Sequence, residues 1–159
     1  MLTFLVQSLV IGTIGTLAMD LWALALNRTT GLALPNWGLV GRWFAWVPRG
    51  RIFHGDITAT PPVQNEVAIG WLAHYATGIV YAAALIVLAD ADWTANPTFL
   101  PAFAVGMVTI AAGWFLLAPG MGAGWAASNT PNPAKSRLLN IAAHTAFALG
   151  LWLGALAIA

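Results

Sequence analysis

Three side chains in this sequence combine reactive chemistry with an apolar setting: Asp20, His74 and His144. Each falls in a long hydrophobic run, where an ionised group at bilayer depth costs at least ~2.5 kcal/mol and must be compensated by something inside the protein. Asp20 is eight residues before Arg28, His74 eight after Glu66 and His144 seven after Arg137. At 1.5 Å per helical residue all three lie about 10 to 12 Å in from one end of their segments. One carboxylate and two imidazoles at one level can hold Zn²⁺, Fe²⁺ or Mn²⁺ with coordination positions left open. Two histidines on facing helices can ligate a haem-like macrocycle. The same trio can pass protons, because imidazole titrates near neutrality and a neighbouring carboxylate raises its pKa. It can equally be a structural lock, with Asp hydrogen-bonded to one His and helix register fixed without chemistry. No contiguous motif such as H-E-x-x-H supports the catalytic readings, so the enzyme question stays open and the depth and face of these residues are the whole signal.

The positioning elements follow from hydropathy. The chain has 159 residues, 60% hydrophobic and 7% charged, with a mean hydropathy of +0.79; soluble domains carry about 25% charged residues. A net charge of +1 provides no basic field for nucleic acid. With no cysteine, disulfides, thiolate nucleophiles and Cys-ligated metal sites are excluded. Four runs, about 2–27, 66–89, 97–118 and 134–158, reach the ~20 residues needed to cross a hydrocarbon core. The first lacks the basic n-region of a signal peptide and exceeds its apolar core, so it reads as a retained helix. The expected fold class is therefore all-α: one integral membrane bundle of four transmembrane helices over residues 1–159.

Local signals place the helix starts. Asn65 and Glu66 open the second run as cap and first-turn carboxylate; Asn96-Pro97 and Asn132-Pro133 open the third and fourth with a cap followed by proline. On the first helix Ser8, Gly12, Thr13, Thr16 and Asp20 make a polar and small seam suited to helix docking, with Ile11, Ile14, Leu17 and Leu21 on the lipid-compatible back. The second helix gathers Gly70, His74, Thr77 and Tyr81 within about 60°, and the fourth gathers Arg137, Asn140 and His144. The third adds Gly106, Thr109 and Gly113.

The loop from 28 to 64 is too long for a plain connection. Within it, about 36–47 predicts a short interfacial helix capped by Asn36, its broad apolar arc formed by Trp37, Val40, Trp43, Phe44 and Val47. Arg42, Arg49 and Arg51 are then candidates for lipid-headgroup contact. His54-Gly55-Asp56 reads as a loop turn, with a fourth ligand arm as the other reading. The glycines of PGMGAGWAAS (119–128) suit a tight re-entry more than a phosphate-cradling nest. Trp93 is an expected interfacial aromatic. Arg and Lys concentrate in the 28–64 and 119–137 loops, and the 90–96 loop carries only Asp90 and Asp92, so both basic loops should be cytoplasmic and both termini non-cytoplasmic.

Taken together, AMDLW (18–22), NWGLVGRW (36–43), PRG (48–50), PPV (61–63), GWLAHY (70–75), PGMGAGWAAS (119–128) and TPNP (130–133) resemble an uncharacterised family of bacterial four-helix inner-membrane proteins, described as a domain of unknown function. The resemblance spans nearly the whole chain and implies a multi-pass bacterial inner-membrane protein; it implies no activity. Three functions compete: a protein that binds a metal or macrocycle through Asp20, His74 and His144, an accessory or assembly subunit of a larger membrane complex, and a homo-oligomeric proton-linked transporter or channel.

Overall fold

A computed structural model describes residues 1–90 and 92–159. Among them there are helices and turns and no strand. The principal elements are α1 (Leu2–Thr30), α2 (Trp37–Trp46), α3 (Glu66–Leu88), α4 (Phe99–Gly120) and α5 (Pro133–Leu156). Helices α1, α3, α4 and α5 are each long and apolar enough to cross a membrane. The chain divides into two compact units. The first comprises Met1–Leu34, Tyr75–Thr109 and Ile141–Ala159; the second comprises Pro35–His74 and Ile110–Asn140.

Helix ends follow local chemistry, with some departures from expectation. Asn36 and Asn132 cap as expected, their Oδ1 atoms accepting the amides of Leu39 at 3.2 Å and Lys135 at 3.0 Å. Helix α1 runs on to Thr30 and stops at Gly31, whose φ of 73° ends the helix in the left-handed conformation. Asn65 itself takes φ 59°, and its carbonyl accepts the amide of Ile69. Helix α4 starts at Phe99 and not at Pro97: Pro101 has no N–H for the Pro97 carbonyl, and Pro97 and Thr98 present their carbonyls to the indole N–H groups of Trp152 and Trp93 at 3.1 Å each. Trp93 itself is 5% exposed and packed in a core.

In the first unit, Ile11, Ala82, Leu85, Trp93, Ala102, Phe147, Leu151 and Ala155 form one buried cluster. Small residues bring the helices around it to backbone contact. A methyl group at Gly12 would lie 2.5 Å from Ile79 Cα, and one at Gly150 would lie 2.7 Å from Gly15 Cα and 2.6 Å from Ala18 Cβ. Helix α1 is thus docked on two sides, by α3 and by α5. The expected seam is buried at Ser8, Gly12 and Thr16, and Leu17 and Leu21 face outward as expected. Ile11 is the correction: it is fully buried, because the second docking partner widens the buried arc beyond a single seam.

In the second unit α2 lies against the first turns of α3. Gly41 sits on the backbone of Glu66 and Gly70, and Gly70 sits on the Trp37 carbonyl, in both cases with no room for a side chain. Two loops cross there as well: the His54 amide donates to the Gly120 carbonyl at 2.9 Å, and the Ile57 amide to that of Met121 at 3.2 Å.

Overpacking a helix seam typically costs 1–3 kcal/mol, and here the obstacle is backbone that cannot rotate away. Gly12→Val should therefore destabilise the protein by roughly 2 to 3 kcal/mol in thermal unfolding in detergent, whereas Leu21→Ala, on the exposed face, should change it by less than about 1 kcal/mol.

Candidate functional site

The intramembrane carboxylate has a partner that the sequence reading did not name. The phenol of Tyr75 donates to Asp20 Oδ2 at 2.9 Å, joining α1 to α3 inside the first unit. Tyr75 follows His74 directly, so it lies about 100° round the helix from His74 on the polar face. An O–H donor at the depth of Asp20 was the available signal, since tyrosine offers an apolar ring and a strong donor on one side chain.

His144 is held in the same unit by α4. Its Nδ1 lies 3.0 Å from the Gly106 carbonyl and 3.2 Å from Thr109 Oγ1, and the Thr109 hydroxyl itself donates to Gly106 O at 2.8 Å. A carbonyl only accepts, so Nδ1 carries the proton and Nε2 keeps the lone pair. Metal-bound histidines often use that tautomer. Among the described residues, however, no three His, Asp or Glu side chains come close enough to hold a metal ion. The metal set of Asp20, His74 and His144 expected from matched depth thus finds no support there.

His74 belongs to the second unit, where its ring stacks on Trp37 with centroids 3.9 Å apart and planes 27° from parallel. The other residues expected on the His144 arc diverge in partner. Asn140 Oδ1 accepts the Trp114 indole N–H at 3.0 Å, and Arg137 donates to the Ala126 carbonyl. Trp114 lies in a π-turn, Gly113–Leu117, which widens α4 locally.

The three arginines proposed for headgroups separate. The Arg42 guanidinium forks onto Glu66, with Nε to Oε2 and Nη2 to Oε1 both at 2.9 Å, and Nη1 donates to the carbonyls of Ile57 and Thr60. The side chains are 11% and 21% exposed, so the pair is largely shielded from solvent. Glu66 also accepts the Val63 amide at 3.2 Å. Bonding to Glu66 pushes Arg42 above the ordinary guanidinium value. Arg49 and Arg51 instead lie over the Trp46 ring, 5.0 and 5.8 Å from its centroid.

His54-Gly55-Asp56 is a turn, as the loop reading expected. The Asp56 carboxylate accepts both the amide and the hydroxyl of Thr58, at 2.8 and 2.7 Å, and these bonds hold it below the usual carboxylate range. His54 is 3% exposed, its Nδ1 paired with Thr60 Oγ1 at 2.9 Å, and among the described residues its Nε2 has no partner. The PGMGAGWAAS segment is a run of tight turns: the amides of Met121, Gly122, Ala123 and Ser128 donate to carbonyls of the same segment or the turn before it. A phosphate nest would need those N–H groups pointing outward.

A family model described as a protein of unknown function (DUF2938) matches residues 9–158. No curated protein and no solved structure matches.

The Arg42–Glu66 fork is expected to carry the second unit. Removing one partner of a shielded pair strands the other, at a cost of 3–5 kcal/mol when fully buried; with the exposure seen here roughly 2 to 3 kcal/mol is expected for Arg42→Ala. Arg42→Lys keeps the charge and loses the fork, and should recover about half of that in the same unfolding experiment. An unchanged midpoint in Arg42→Ala would show the fork to be idle.

Proposed function

We propose that this chain, which belongs to the DUF2938 family of proteins of unknown function, is an accessory or assembly subunit of a larger complex in a bacterial inner membrane. Four apolar helices of membrane-spanning length make it a multi-pass membrane protein. The observation that carries the subunit reading is the Asp20–Tyr75 bond: the carboxylate that a metal or macrocycle would recruit is already engaged in joining two helices. His144 Nδ1 is engaged in the same way with Gly106. Polar groups used as interhelical glue leave the outer faces as the part available for recognition. Those faces carry large aromatics, including Trp125 at 63% and Phe53 at 62% exposure, the residue class that interface cores favour.

Orientation is part of the same proposal. Five of the six Lys and Arg residues, Arg42, Arg49, Arg51, Lys135 and Arg137, fall in the second unit together with Asp56 and Glu66, whereas Asp20, Asp90 and Asp92 fall in the first with Arg28. That segregation supports both basic loops being cytoplasmic and both termini non-cytoplasmic.

Two measurements test these readings. Purified in mild detergent after cross-linking, the chain should carry a second polypeptide in fixed ratio, and the same sample should hold metal far below one ion per chain. A lone chain with stoichiometric metal would overturn the subunit reading. Reporter fusions at Ala159 and within the 90–96 loop should both report the non-cytoplasmic side, and a cytoplasmic signal from both would reverse the orientation.

A further inference from the structure

We infer that Arg49, Trp46 and Arg51 form a clamp for the phosphodiester of an anionic phospholipid. The two guanidinium carbons lie 5.0 and 5.8 Å from the centroid of one indole. They are therefore no more than about 11 Å apart, within reach of the oxygens of one phosphodiester headgroup. Neither is in an ion pair among the described residues, in contrast to Arg42 on α2, which is spent on Glu66. Two like charges gathered on one ring call for an anion to neutralise both. Guanidinium suits phosphate oxygens, because its planar donors can bond them in pairs while its face stays on the indole.

The backbone builds this arrangement. A single 3₁₀ turn, Val47–Arg49, leads into Gly50 at φ 78°, whose amide donates to the Val47 carbonyl at 3.0 Å. The Arg51 amide then closes back onto the Trp46 carbonyl at 3.2 Å, which returns the second guanidinium to the ring that the first one covers. The indole is steadied by its own N–H, which donates to Pro61 O at 3.3 Å.

The location favours a lipid over a free phosphate. Trp46 is four residues, one helical turn, beyond Arg42 on α2, and Arg42 is forked onto Glu66, the first residue of a helix long enough to cross the bilayer. The clamp is thus tethered to the end of a span, where headgroup phosphates lie. Immediately after Arg51 come Ile52 and Phe53, 39% and 62% exposed, apolar side chains that suit the acyl region below a phosphate. A soluble phosphate compound would make no use of them.

The test uses the full-length protein in detergent, mixed with equal amounts of phosphatidylglycerol and phosphatidylcholine and read by native mass spectrometry. Wild type should retain phosphatidylglycerol in preference. Arg49→Gln/Arg51→Gln should lower that preference roughly tenfold, the ratio given by about 1.4 kcal/mol of charge-assisted hydrogen bonding, and Arg28→Gln should leave it in place. An unchanged preference in the double variant, or an equal loss in Arg28→Gln, overturns the clamp. Should the double variant fail to fold, Arg49→Lys/Arg51→Lys decides the matter: a several-fold loss supports a planar clamp, and full retention overturns it. Soluble glycerol phosphate is the remaining arm. Failure to displace the lipid supports the headgroup assignment, and ready displacement overturns it in favour of a free phosphate ligand.

Discussion

A carboxylate inside an apolar helix dictates much of what surrounds it, because in hydrocarbon every polar group must be satisfied by the protein itself. Asp20 meets that requirement with the phenol of Tyr75, and doing so specifies which face of α1 meets which face of α3. Thr16, one turn before Asp20, bonds its own helix at the Gly12 carbonyl and lies against Gly78; Gly12 lies against the Ile79 backbone. The hydrogen bond and the glycines thus act together. Without the small residues the helices could not come close enough for the phenol to reach, and without the polar pair nothing would select this register over one shifted by a turn.

His144 follows the same logic between α4 and α5. Its Nδ1–H meets Gly106 O at a place where Gly106 also admits Ala148. In the second unit charge takes the place of neutral glue. Arg42 gathers Glu66 and the carbonyls of Ile57 and Thr60, so one side chain ties α2, the long loop and the start of α3 together. Once Arg42 is committed in this way, Arg49 and Arg51 are the cations of that loop left for an external partner.

Much of the fold was legible in the sequence, for reasons that can be traced to particular residues. Hydropathy located all four long helices, and Asn36 and Asn132 marked helix starts because a capping amide is a local device. The misses were long-range. Tyr75 lay one residue from the expected polar face, and nothing local links it to Asp20, 55 residues away. Arg42 and Glu66 read locally as a loop cation and a helix-dipole charge; pairing across 24 residues needs the loop geometry. Ile11 was assigned to lipid because one seam was assumed where two helices dock. For Asp20 and His144 depth along the helices was readable, but depth alone does not fix rotation, which decides that Tyr75 meets the one and Gly106 the other.

The claim on which this account rests is that Asp20 and Tyr75 bond to each other and that this bond holds α1 to α3. A double-mutant cycle in thermal unfolding, comparing Asp20→Asn, Tyr75→Phe and the pair, measures it directly. Interhelical hydrogen bonds in membrane proteins average about 0.6 kcal/mol, with a maximum near 1.7, and a carboxyl–phenol pair at 2.9 Å belongs toward the upper end. A coupling of about 1 to 2 kcal/mol is the expected result. Strict additivity of the two substitutions would contradict the account, since it would mean that the carboxylate and the phenol do not depend on each other.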